Sequence, residues 1–418
     1  MPTNGVRALG AFVAALTLLG VTACGSDRNP LASGSDPQPS GTGSTAVTPG
    51  DSPSPTTPPA PDPVTLTANV ADKATKVTVD TVVRVTAKAG TLTKVKVAYR
   101  YTDHRAGKTV RGALDGALSK DRATWTAAER LEPAATYAIS MTGKNTAGQS
   151  QTATSSFTTH NLSLDEQTYP SIYPQPGSKV GIGMPVVLTF DVPVKDKKEF
   201  QKNLQVTSSP AQTGTWNWFS DTQVRFRPAK YWKPGTKVKV TANLNGVKAG
   251  NGVYGQKSVS TSFTVGRSFI TKVNLASDVA RVYRSGKLVK TIYVSGGKPG
   301  WETRSGVKLI MAKEYNKKMT NEMIGAKEDY SLVARHALRI TNSGEFLHSA
   351  PWNTAHFGRR NASHGCVGMS NANAAWLYAN TLIGDPVITT GSRRGVEQGN
   401  GYSDWNLSYA QYKKGSAL

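Results

Sequence analysis

Cysteine is nearly absent, with two in 418 residues, Cys24 and Cys366. That excludes a disulfide-stapled scaffold and a thiolate zinc cluster, both of which need more thiols, so each cysteine calls for its own explanation. Acidic residues are scarce too: 27 Asp and Glu face 50 Lys and Arg, a formal net charge of +23. The imbalance says nothing about fold but predicts polyanionic surroundings. An apolar run long enough for a membrane span is also missing at the N-terminus, where residues 8–21 stop short of the roughly 20 a helix needs to cross a bilayer. At roughly 100 to 200 residues per domain, the length predicts two to four domains rather than one.

What the N-terminus does have is Arg7, the short apolar run and then small residues, the layout of a secretory signal. Val21-Thr22-Ala23-Cys24 resembles the lipobox of bacterial lipoproteins, which implies that Cys24 receives lipid and becomes the mature N-terminus. Residues 1–24 are therefore read as a lipoprotein signal. Residues 25–62 are dominated by Pro, Gly, Ser, Thr and Asp. Such a stretch cannot bury enough surface to offset its ordering entropy and is expected to be a disordered tether. The expected location is the outer face of a bacterial plasma membrane, reaching into the wall. All but two of the 50 basic residues lie beyond residue 62. Export removes nucleic acid as a partner, so the charge points to anionic envelope polymers or the membrane surface.

The rest of the chain reads as mainly β. Residues 63–160 alternate in period two, as in VTVDTVVRVTAKAG, between Gly, Asp and Asn turns, the pattern of an antiparallel sandwich. Leu131-Glu132-Pro133 leading to Tyr137 resembles the tyrosine corner of immunoglobulin-like domains. Residues 161–266 repeat the texture, and Trp216, Trp218 and Trp232 are expected in the core there. In residues 267–390 a hairpin should turn at Ser285-Gly286 and another at Asn342-Ser343-Gly344. Ser370 should cap a short helix after Cys366, with Trp376, Leu377 and Ile383 on one side and Gly384 at its end. Residues 391–418 are read as a tail packed on this last domain.

The chemistry concentrates in Ser363-His364-Gly365-Cys366, with His348 upstream in His348-Ser349-Ala350-Pro351-Trp352. A cysteine nucleophile needs a base to take its proton and return it to an amine. Gly365 permits a tight turn beside Cys366, whose N–H can help stabilise an oxyanion. Both His364 and His348 are candidate bases. Two residues on one strand do not easily aim at each other, whereas His348 can approach from a neighbouring strand, and His348 is preferred.

The segment HSAPWNTAHFGRRNASHGC resembles the L,D-transpeptidase catalytic domain, and the whole chain is similar to the multidomain lipoprotein L,D-transpeptidases of mycobacteria. The resemblance implies two Ig-like sandwiches before a mostly-β catalytic domain. It implies Cys366 as nucleophile and His348 as base. Ser349 and Gly365 would orient that base, with His364 shaping the site. Tyr330, with Ser363 and Trp352, would contact substrate. Residues 301–330 would form a flap, with Met311, Tyr315, Met319 and Met323 as wall residues. The implied reaction takes peptidoglycan tetrapeptide stems as donor and acceptor and makes a 3→3 cross-link through a thioester, with release of D-Ala and no cofactor or metal. Carbapenems would acylate the same thiolate. Water as acceptor would give L,D-carboxypeptidase activity instead. In one departure, the apolar residue after the cysteine is followed by Gly368, where Asn or Arg is usual, which leaves open a wall-binding protein with a degenerate site. A zinc peptidase using His348, His356 and His364 lacks any HExxH-type pattern.

Overall fold

The computed structural model describes residues 61–103, 107–325, 327 and 329–418. The N-terminal apolar run, Cys24 and the tether up to residue 60 lie outside the described residues. The described chain is mostly strand with a few short helices.

The first Val/Thr-rich region forms a four-stranded and a five-stranded sheet. In Thr136–Asn145, alternation buries Tyr137, Ile139 and Met141 and exposes Ala138, Ser140 and Lys144, so one face of the strand makes core. Tyr137 stacks on Phe157 at 4.9 Å. Its hydroxyl accepts the Glu132 N–H at 2.7 Å, which closes the corner read from the sequence. The second region forms a further pair of four-stranded sheets around a core that includes Trp216 and Trp232, 6% and 1% exposed. The indole of Trp232 donates to the Met184 carbonyl at 2.8 Å, which satisfies its one polar atom.

The last domain opens with the expected hairpin, Val279–Arg284 against Lys287–Tyr293. Ser285 (φ 49°) and Gly286 (φ 82°) are both left-handed, as a two-residue turn between twisted strands requires. These strands lie in a five-stranded sheet with Phe269–Asn274, Pro386–Thr390 and Gly306–Leu309. A four-stranded sheet runs in the order Ala312–Thr320, Ser331–Arg339, Phe346–Ser349, Val367–Met369. Phe269, Val282, Leu347 and Val367 are buried in one core.

Ser370 caps the helix Asn371–Asn380, its hydroxyl accepting the Asn373 N–H. The helix stops earlier than expected. Thr381 takes extended backbone, Ile383 packs against the second sandwich, and Gly384 (φ 89°) sits in the following turn beside Met184.

The C-terminal residues divide between two partners, where the sequence suggested one. Asn406 donates to Val307 O at 2.7 Å in the catalytic domain. Beyond that, the segment crosses onto the second sandwich. Trp405 donates to Gly183 O at 2.7 Å, Arg225 pairs with Asp404 at 3.0 Å with both side chains buried, and Asn217 donates to Tyr412 O at 3.0 Å. Arg225 and Arg227 alternate with core residues on Gln223–Pro228; each has one partner within the sandwich, and the C-terminal segment supplies the rest, the Asp404 carboxylate and the Gly401 carbonyl for Arg225 and the Leu407 carbonyl for Arg227.

Candidate active site

His348 lies on the central strand Phe346–Ser349, and Cys366 immediately precedes Val367–Met369. The two strands are parallel, with His348 opposite Gly368. The register thus sets Cys366 level with Phe346, two residues along the ladder from His348. Cys366 and His348 both line a cavity of about 700 Å³. His364 is brought there as well, but held differently. Its ring stacks on Tyr330 at 5.2 Å and meets Trp301 edge-on at 5.3 Å, so it serves as part of the wall.

His348 is 5% exposed. Its Nδ1 lies 2.7 Å from Ser349 O. A carbonyl can only accept, so Nδ1 carries the hydrogen and Nε2 keeps its lone pair. Burial holds the imidazole below its ordinary pKa, against the Ser349 hydrogen bond that favours the cation. Cys366 is half-buried, and its thiol donates to Gly344 O at 3.7 Å. Burial pushes that thiol up to about 12, the Glu345 charge adding to the rise while a Phe346 backbone hydrogen bond and Arg339 oppose it. Burial thus favours the neutral form of both the imidazole and the thiol.

The turn ahead of the cysteine is built on Gly365 (φ 116°), a conformation that L side chains rarely adopt. Its N–H goes to Ser363 Oγ at 3.1 Å, and Ser363 Oγ donates to Cys366 O at 2.6 Å. Gly365 thus shapes this turn, and the hydrogen bond that orients His348 comes from the Ser349 carbonyl. Ser349 is buried and its hydroxyl bonds Asn371 at the start of the helix. Trp352 is 53% exposed, lines the cavity and stacks on His348 at 6.0 Å.

Beneath this turn sits an ionic cluster that no local pattern announced. Glu345, 3% exposed, accepts from Arg304 at 3.0 Å and from Lys308 at 3.2 Å. Arg304 also pairs with Glu397 at 2.6 Å. A β-carbon on Gly365 would lie 3.6 Å from Glu345 Cγ, so the cluster is the floor under the nucleophile turn. Gly368 forms a stretch of bare backbone in the cavity wall, its N–H and C=O both bonded to Ser295.

The wall residues inferred from the flap divide in two. Met319 and Met323 line the cavity; Met311 and Tyr315 do not. The sulfur of Met311 lies against Gly401 of the C-terminal segment. Tyr315 packs edge-on to His336 at 4.9 Å and to Tyr378 of the helix at 6.4 Å. Its ring partner His336 is left-handed (φ 51°) inside the neighbouring strand Ser331–Arg339. Alternation would put residues 313, 315, 317 and 319 on one face. Lys313 instead lies over Tyr378 of the helix, whereas Lys317 and Met319 reach the cavity.

Among the described residues, no three His, Cys, Asp or Glu side chains converge as metal ligands. His356 instead lies near Arg360, ring nitrogen to guanidinium at 3.2 Å.

The family model for a bacterial Ig domain matches residues 74–248, and the model for the L,D-transpeptidase catalytic domain matches residues 268–389. The chain is 32% identical over 414 residues to L,D-transpeptidase 2 of Mycobacterium tuberculosis, covering 98% of this chain and 95% of that one. It is 32% identical over 322 residues to L,D-transpeptidase 5 of the same organism, covering 75% and 69% respectively. The solved structure of LD transpeptidase LdtMt1 in complex with imipenem covers 53% of this chain and 97% of that one, at 32% identity and a TM-score of 0.47. With Ig-like sandwiches ahead of a catalytic domain matched by its own model, and a full-length relative at this identity, the chain belongs to the L,D-transpeptidase family of enzymes.

Proposed function

We propose that this enzyme forms 3→3 peptidoglycan cross-links through a thioester on Cys366. The observation that carries the reading is the delivery of His348 and Cys366, by adjacent parallel strands, to one cavity. His348 Nε2 takes the thiol proton as Sγ attacks the carbonyl that joins the third residue of a tetrapeptide stem to its terminal D-Ala. The N–H of Cys366 faces the developing oxyanion. The proton passes to the departing amine of D-Ala, leaving a thioester. The side-chain amine of a second stem's diamino acid then loses its proton to His348, attacks the thioester and frees Cys366. Because thiol and base are both neutral beforehand, the charge pair forms only along the reaction path. Tyr330, His364, Trp352 and Ser363 bound the space for the stem.

The same thiolate would open a carbapenem ring. Intact-mass measurement of the full chain after incubation with a carbapenem should show one covalent adduct, absent from Cys366→Ala. Turnover of a tetrapeptide stem with and without an acceptor stem then separates cross-linking from hydrolysis. A folded parent with neither adduct nor turnover would overturn the reading in favour of a wall-binding protein.

The division into sandwiches at residues 63–160 and 161–266, a catalytic domain at 267–390 and a tail at 391–418 belongs to the same proposal. So does a lipid on Cys24 that holds the enzyme at the outer membrane face, its basic surface against anionic envelope polymers. Radiolabelled fatty acid incorporated by the parent but not by Cys24→Ala tests the anchor.

A further inference from the structure

Two cations stand over the ring beside the nucleophile. Phe346 and His348 are two residues apart on one strand and so face the same side of the sheet. Arg339 pairs with Phe346 across the ladder, and its guanidinium lies 4.6 Å from the Phe346 ring centre. Lys317 comes from the neighbouring strand Ala312–Thr320, and its ammonium lies 6.0 Å from the same ring. Both line the cavity and are its two Lys/Arg residues among the described lining. They share one carboxylate outside it: Glu314 is 3.0 Å from Lys317 and 3.7 Å from Arg339. Arg339 also donates to the carbonyls of Thr341 and Asn342 at 3.3 and 3.4 Å, which fixes its fork at the rim. The acid of the cavity lining is Asp329. A pair of cations sharing one counter-charge, on an aromatic floor and open to a substrate cavity, is an arrangement for an anion.

We infer that Lys317 and Arg339 form a carboxylate-binding subsite that seats the stem peptide next to Cys366. This rests on the transpeptidase reading and deepens it by giving the enzyme a handle on stem charge. Two stem carboxylates have the right chemistry: that of the terminal D-Ala and that on the D-centre of the diamino acid. Each can be masked as its amide.

The test is equilibrium binding of four synthetic stems to full-chain Cys366→Ala, which cannot consume them: the free acid, each single amide and the double amide. The expected result is that one single amide binds about tenfold or more weakly than the free acid, the scale of a lost charge-assisted hydrogen bond, and the amide that does so identifies the carboxylate. Adding Arg339→Gln or Lys317→Met should weaken the free acid by a similar factor and abolish the difference between acid and amide. Equal binding of all four stems overturns the inference, as does discrimination that survives both substitutions. The amide comparison needs no new variant, so misfolding of Arg339→Gln cannot mask the answer. Turnover by the parent is scored separately: a parent that binds stems selectively but never consumes them retains the subsite and refutes the transpeptidase reading.

Discussion

The carbonyl of Ser349 fixes the tautomer of His348. With Nδ1–H held at 2.7 Å by that oxygen, Nε2 is the nitrogen left to accept a proton, and in the proposed mechanism a backbone atom does the work that a carboxylate does in many triads. A backbone carbonyl carries no full charge, so it orients the ring without strongly favouring the imidazolium.

The pH dependence of thiol reactivity follows from this. Burial raises the Cys366 thiol to about 12, so the thiolate fraction at neutral pH is small and grows with every added unit of pH. Alkylation of the full chain by iodoacetamide should therefore be slow at pH 7 and climb without a plateau through pH 9. A plateau below pH 8 would mean a preformed ion pair and would contradict the neutral resting state.

Removing Glu345 should be costly to stability. Glu345→Ala leaves Lys308, 1% exposed, without its carboxylate, and stripping one partner from a buried pair costs about 3–5 kcal/mol. Denaturant titration monitored on the catalytic domain would measure it. The double variant Glu345→Ala/Lys308→Met should recover part of the loss; if it is no better than the single one, the buried charge is not the cause.

At Gly368, where an Asn or Arg was expected, a β-carbon would approach Ala350 Cβ to 3.0 Å. Gly368→Ala should then cost about 1 kcal/mol, the low end of overpacking, and pairing it with Ala350→Gly should restore stability. Thermal unfolding of the three variants decides the point.

His336 offers a backbone test. A left-handed L residue is strained by roughly 1–2 kcal/mol, and a β-branched one more. His336→Gly should keep or raise the melting temperature, whereas His336→Val should lower it. If both fall equally, the ring contacts with Tyr315 and Tyr378 matter more than the backbone.

Much of this was legible in the chain because it is local. The Ser285-Gly286 turn, the Ser370 cap and the Tyr137 corner each depend on a few adjacent residues, and the His348–Cys366 pair announces itself by residue type and spacing. The Glu345 cluster was not legible, since Arg304 and Lys308 lie 41 and 37 residues before Glu345, Glu397 lies further on, and all look like ordinary surface charges. The same holds for Arg225 and Arg227, whose burial depends on a segment nearly 200 residues later. Met311 and Tyr315 were expected in the cavity wall from the resemblance alone, and their contacts with Gly401, His336 and Tyr378 depend on residues distant in sequence.

The return of the C-terminal segment has a mechanical meaning. The chain leaves the second sandwich near residue 266, builds the catalytic domain, and comes back to bury Asp404 against Arg225 and to hang Trp405 on Gly183. The linker and this returning segment, together with the backbone bonds from Gly181 and Gly183 to residues 383 and 384, resist rotation where a single linker would act as a swivel. A pull on the second sandwich is therefore transmitted to the catalytic domain as to one lever, and loss of the last twenty residues would leave that lever held at residues 383 and 384 alone besides the linker.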